Sequence, residues 1–163
     1  MKQRVITRVL GLLVLVMFTA CGREPGNVAI TTLDKAYDVE QDWNDQQRVI
    51  PLGYQQAQGK RIFYEKCIWC HADSTPAGPS NRSNLNPNPP LINDGTALNP
   101  LSDEFLQNII ALGGSAMGRS AMMPPWGKTL TQDEVLAVIA FIRAAAQPPY
   151  QPSARTKSQH PEK

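Results

Sequence analysis

The run Cys67-Ile68-Trp69-Cys70-His71 constrains this chain more than any other feature. Two thiols three residues apart, followed directly by a histidine, form the signature of covalent haem attachment. Each sulfur can add to one vinyl group of a porphyrin, and the adjacent imidazole then faces the iron as its proximal ligand. A zinc site would need about four nitrogen or sulfur ligands, and beyond this run only Cys21, far upstream, and His160, near the end, remain. A thiol redox pair would need a βαβ frame, whereas the flanking residues carry helical periodicity and loop, without strand-like alternation.

With the motif in place, a wider pattern becomes legible. Gly59 to His71, with Gly59, Phe63 and the motif in fixed spacing, resembles the first helix and haem motif of the class I (mono-haem) c-type cytochromes. Met123-Pro124-Pro125-Trp126-Gly127 resembles the distal-ligand loop of that family, and Val135 to Arg143, with Phe141, resembles its C-terminal helix. The resemblance covers about residues 55–146 and implies an all-α fold of the small cytochrome c type. Three main helices and long loops would wrap one covalent haem c, bound through Cys67 and Cys70, with His71 as proximal ligand. It also implies that Pro89-Pro90-Leu91 is the family's Pro-x-Leu element, with the Pro89 carbonyl accepting the His71 Nδ1 proton, and that Leu91 and Trp126 belong to the haem surroundings.

The sixth ligand can be argued from chemistry as well. A thioether raises the potential of haem iron when paired with histidine, and Met117, Met122 and Met123 are the nearby candidates. The proline pair after Met123 fixes two φ angles and disfavours helix at Met123 itself. Met123 is therefore the expected ligand, with pliable core filling the competing role for each methionine.

Helix signals agree with this architecture. Leu52 to Lys66 places Gly59, Ile62 and Phe63 on one face, with Gly59 open to close approach by another helix. Ser102 can cap a second helix that ends at Gly113-Gly114. Thr131 and Glu134 form a capping box opening a third helix, in which Val135, Val138, Ile139 and Ile142 recur at helical spacing. The resemblance makes Gly59, Phe63, Val138 and Phe141 the crossing point of the first and third helices. A stretch such as Ala72 to Pro100, with six prolines and six asparagines in 29 residues, is uncommon inside a compact domain, but intelligible when wrapped around a cofactor edge. A haem also supplies the apolar centre that a domain of about 95 residues is short of.

The ends suggest where the haem works. Residues 1–20 combine Lys2, Arg4 and Arg8 with an apolar stretch from Val9 to Phe18, too short to span a bilayer and read as a secretory signal. Phe18-Thr19-Ala20-Cys21 resembles a bacterial lipobox, in which Cys21 is lipidated and becomes the new N-terminus. That would use every cysteine in an oxidising compartment and anchor the protein to a membrane on its periplasmic or extracytoplasmic face. Residues 21–51 read as a polar linker, able to span roughly 30 Å as a coil, although Trp43, Val49, Ile50, Leu52 and Tyr54 are apolar enough to pack on the domain or a partner. Residues 52–147 form the expected domain, and 148–163 a Pro-rich disordered tail.

Charge adds little. Sixteen basic residues fall to 13 without the leader, against 14 acidic ones, which makes nucleic acid an unpromising partner. Lys60, Arg61 and Lys66 beside the motif would steer an acidic redox protein or simply form a solvated face, and Trp69 would dock a partner or cover haem. The expected function is one-electron transfer between redox donor and acceptor proteins, without enzymatic activity of its own. Two alternatives stand: a fixed relay subunit of a respiratory or dehydrogenase complex, and a peroxidase or gas sensor whose distal methionine dissociates.

Overall fold

A computed structural model describes residues 35–152. Cys21, the residues before it and the last residues of the tail lie outside the described part, so the expected leader and lipidation site are not placed.

The described chain opens with a hairpin of β1 (Asp38–Asp42) and β2 (Asp45–Leu52), antiparallel with Val39 opposite Pro51 and Gln41 opposite Val49. Helix α1 (Tyr54–Lys66) leads into the short α2 (Ile68–His71), which carries the motif. A two-residue pair, β3 (Ser74–Thr75) with β4 (Gly78–Pro79), and a 3₁₀ turn at Arg82–Asn84 follow. After the Pro-rich loop come α3 (Gly95–Leu98), α4 (Asp103–Leu112), a 3₁₀ turn at Ser115–Met117 and α5 (Gln132–Ala145). Among the described residues no helix is long and apolar enough to cross a membrane.

The three expected helices are α1, α4 and α5, and two of their starts follow from side-chain caps. Ser102 Oγ accepts from Phe105 N at 3.1 Å, while Thr131 Oγ1 accepts from Glu134 N at 3.3 Å and Glu134 Oε2 from Thr131 N at 2.8 Å. Each bond satisfies an amide that a helix start leaves unpaired. The first helix begins at Tyr54 rather than Leu52, because Leu52 is the last residue of β2 and is fully buried.

The expectation of an all-α fold is therefore corrected by two small hairpins. The larger one occupies the acidic end of the segment expected to be linker. Its turn is made locally, with Asn44 N donating to Asp42 Oδ1 at 2.9 Å, an Asx turn. Alternation then places Glu40 and Asp42 inward and Val39 and Gln41 outward, the reverse of an ordinary amphipathic strand, which is why its pattern does not read as one. The buried Glu40 carboxylate is satisfied from the domain and from the hairpin's own turn: Tyr64 Oη donates to Oε1 at 2.6 Å and Lys60 Nζ stands 3.3 Å from Oε2, while Trp43 Nε1 donates to Oε1 at 3.0 Å.

The core lies where α1 crosses α5. Phe63 and Phe141 are fully buried with ring centroids 5.6 Å apart, and Trp43 of the hairpin reaches Phe63 at 6.1 Å. A methyl group on Gly59 would lie 1.9 Å from the Ala137 carbonyl oxygen, so the close approach requires glycine there. At the other end of α5, Arg143 binds Asp103 Oδ1 through Nε at 2.9 Å and the Leu98 carbonyl through Nη1 at 2.8 Å, and stacks over Tyr150 at 4.1 Å. With Gln147 N donating to Asn93 O and Asn99 Nδ2 donating to Pro148 O, the first tail residues are held against the domain.

Candidate haem site

The motif is shaped by the end of α1. Cys67 N still donates to Phe63 O at 2.8 Å, while Cys67 O accepts from both Cys70 N and His71 N at 3.1 Å. One tight turn thus brings the two cysteines and the histidine together, since residues three and four apart share a helix face. Ile68 anchors the turn in the core, and Trp69 points outward, 54% exposed. Burial pushes the Cys67 thiol up to about 12, Lys66 partly opposing, and raises Cys70 as well. A reactive thiol pair needs lowered values, so this microenvironment does not favour dithiol redox chemistry.

His71 Nδ1 lies 2.9 Å from the carbonyl oxygen of Pro90. A carbonyl can only accept, so Nδ1 carries the proton and Nε2 keeps the lone pair. Burial lowers the imidazole's tendency to protonate and the nearby Arg82 cation adds to this, while the Pro90 bond works against it. The neutral ring that results is the metal-binding form. The acceptor expected from the Pro-x-Leu resemblance was Pro89; the structure moves it by one residue, because the Pro89 carbonyl is taken by Arg82 Nε at 2.8 Å.

A cavity of about 770 Å³ opens beside the motif. Cys70 lines it, whereas Cys67 and His71, in the same turn, are not among its lining residues. Leu85, Pro89, Pro90, Leu101, Phe105 and Ile109 supply apolar surface, Arg82 and Arg119 positive charge, and Met122 and Met123 a thioether side. Met117 is not among the lining residues. Met122 is 62% exposed, while Met123 is half-buried and packs against the core.

The methionine loop is pinned by main-chain bonds. Trp126 N and Gly127 N donate to Ile110 O and Ala111 O, both at 2.9 Å, so the loop caps carbonyls that the end of α4 leaves free. Gly114 N donates to Met123 O at 2.9 Å, and a methyl group on Gly113, whose φ is +82°, would lie 2.8 Å from Pro125 N. The glycine pair that ends α4 therefore also seats the loop, and Trp126 serves it through its backbone and core packing rather than by lining the cavity. Leu91 likewise faces a second cavity of about 490 Å³ between the hairpin tip and residues 72–76.

Sequence reasoning missed Arg82 and Arg119. Arg82 opens a short 3₁₀ turn and Arg119 lies in a bend, so no periodicity marks them, and only their charge amid largely uncharged loops could have drawn notice. Of the three cations beside the motif, Lys60 is engaged with Asp38 and Glu40 and Lys66 with Glu65, while Arg61 is exposed.

The residues fit a haem. The cavity is in the range of about 300–1,000 Å³ typical for cofactor sites, its lining is largely apolar with few cations, and a vinyl-reactive thiol and thioether donors share it. Residues 55–142 match the family model described as cytochrome C oxidase, cbb3-type, subunit III. The match spans more than half of the chain, and the chain belongs to this family of cytochrome c domains. Among curated proteins and among solved structures nothing matches.

Proposed function

Because the chain belongs to a family of haem-carrying, electron-transferring domains, we propose that it is a class I, mono-haem cytochrome that passes single electrons between redox proteins. Cys67 and Cys70 would hold the porphyrin covalently, and His71 and Met123 would ligate the iron. The observation that carries this reading is one cavity lined by Cys70 and Met123, beside a His71 whose Nδ1 is committed to Pro90 O. Haem c, when bound, supplies a one-electron Fe(III)/Fe(II) couple, which histidine and methionine ligation poises toward high potential. The protein's contribution is orientation and exclusion. The Pro90 carbonyl fixes the imidazole so that Nε2 is the free nitrogen. The loop closed by Gly113 and Gly114 holds the Met123 thioether in the wall, and Leu101, Phe105 and Ile109 keep water from it.

With His71 and Met123 both holding the iron, no open site for a substrate would remain, which argues for electron transfer rather than enzymatic turnover. Carbon monoxide tests this on the reduced protein: slow, weak uptake at neutral pH is expected, while ready uptake indicates a labile distal ligand and the peroxidase or gas-sensor alternative.

A second reading is favoured by the family description itself, which names a subunit of a terminal oxidase. The domain would then be a fixed electron relay in a respiratory complex rather than a free shuttle. Extraction in mild detergent separates the two, since a relay co-purifies in stoichiometric amount with its complex. In either case the leader and lipobox support a periplasmic or extracytoplasmic domain tethered through lipidated Cys21. The mass of the mature N-terminus tests that: an intact Met1 or an unmodified end removes the anchor without touching the haem assignment.

A further inference from the structure

The carbonyl that orients His71 sits on backbone that cannot hold itself in place. Pro87, Pro89 and Pro90 have no N–H group, so this loop offers acceptors and few donors, and whatever fixes it must donate. Between Leu85 N, bonded to Arg82 O, and Leu91 O, bonded to Asp94 N, the hold on the main chain comes from side chains. Arg82 Nε donates to Pro89 O at 2.8 Å and His71 Nδ1 donates to Pro90 O at 2.9 Å. The other arm of the guanidinium, Nη1, donates to Asp73 Oδ1 at 2.9 Å. Asp73 lies two residues beyond His71 and Pro89 one residue before the acceptor, so one rigid fork spans both sides of the imidazole's hydrogen bond. The fork is braced in turn, with Arg82 N donating to Ser80 Oγ at 3.1 Å and the Ser80 hydroxyl donating to Ala72 O.

We infer that Arg82 is a positioning residue for His71, the histidine that would hold the iron. By clamping Pro89 to Asp73 it sets the Pro90 carbonyl on His71 Nδ1, and so sets how strongly the imidazole donates to iron. This rests on the proposed ligation by His71. A hydrogen bond from the far nitrogen of a ligating histidine raises its basicity, which favours Fe(III). Weakening that bond favours Fe(II) and raises the reduction potential. The competing view, that Arg82 and Asp73 are an ordinary ion pair, predicts only a small stability effect, since Asp73 is largely exposed and such pairs contribute about 0–1 kcal/mol.

The test uses the haem-loaded full chain with Arg82→Lys, Arg82→Gln and Asp73→Asn. Lysine keeps the charge and loses the fork, so it isolates geometry. Expected for Arg82→Lys are about tenfold faster exchange of the His71 Nδ1 proton by NMR and an Fe(II)/Fe(III) ratio at fixed potential raised by up to about tenfold, or ~59 mV for one electron. Arg82→Gln should show the same exchange with a smaller rise, because the lost cation acts in the opposite direction. Asp73→Asn, which weakens one arm, should fall between parent and lysine variant in both readouts. A folded Arg82→Lys protein with parental exchange and potential overturns the inference; if that variant does not fold, parental values in Asp73→Asn do so. Should the parent carry no haem, the proposed function fails, and unchanged Nδ1 exchange between the parent and variant apoproteins then overturns the clamp separately.

Discussion

At the scale of single residues, the distal side turns on two adjacent methionines that share the cavity wall. Met123 is half-buried, its carbonyl tied to Gly114 N and its successor a proline, whereas Met122 is largely exposed. Met123→Ala should abolish the far-red Fe–S(Met) absorption band, lower the potential and admit carbon monoxide, with Met122→Ala near the parent in all three. The reverse outcome makes Met122 the ligand. Gly59 gives a prediction on stability: Gly59→Ala places a methyl group on the Ala137 backbone, and unfolding by urea should show a loss at the upper end of the ~1–3 kcal/mol of overpacked cores. The close approach at Gly59 was legible in the sequence through its helix face, and the prolines after Met123 pointed to a residue that the structure places in the cavity wall. The Pro90 acceptor was not legible, because the choice between neighbouring prolines depends on Arg82, a side chain whose partners are set by tertiary contact.

Among the elements, α4 and α5 follow from caps and periodicity, while the hairpin does not. The buried residues of β1 are carboxylates and the hairpin's valines face out, so a pattern rule reads it as polar tether, and only Trp43, Tyr64 and Lys60 acting together make the burial of Glu40 tolerable. Glu40→Ala removes the acceptor shared by Tyr64 and Trp43 and should cost about 3 kcal/mol, measured by denaturant unfolding, with the hairpin amides losing hydrogen-exchange protection. Alkaline pH probes the same contact. Burial, then the Glu40 hydrogen bond and charge, raises the Tyr64 phenol above its ordinary value of 10.0. A group with a raised folded-state pKa stabilises the fold fully below the unfolded-state value and loses that contribution as pH rises from there through the folded-state value. Parent stability should therefore fall above about pH 10, and Tyr64→Phe should lose that part of the dependence; an identical alkaline limb in both proteins would exclude Tyr64 as its source.

For the molecule as a whole, the packed core lies at the α1 and α5 crossing, and the largely apolar cavity beside the motif is where a haem would add to it. The core follows from the sequence, since Gly59, Ile62 and Phe63 share one face of α1 and Val135, Val138, Ile139 and Ile142 recur at helical spacing in α5, while Phe141 and the crossing follow from the family resemblance. The cavity wall draws on the Pro-rich loop and the methionine loop, whose courses depend on long-range bonds such as Trp126 N to Ile110 O and Gly127 N to Ala111 O that no local pattern announces. The central claim is that one haem is attached through both motif cysteines. The direct measurement is the intact mass of the protein expressed with haem-attachment machinery, beside the Cys67→Ala, Cys70→Ala double variant. The parent should carry the mass of one haem, retained through acid–acetone extraction, and the double variant none. A parent without covalent haem, or a double variant that keeps it, would contradict the account.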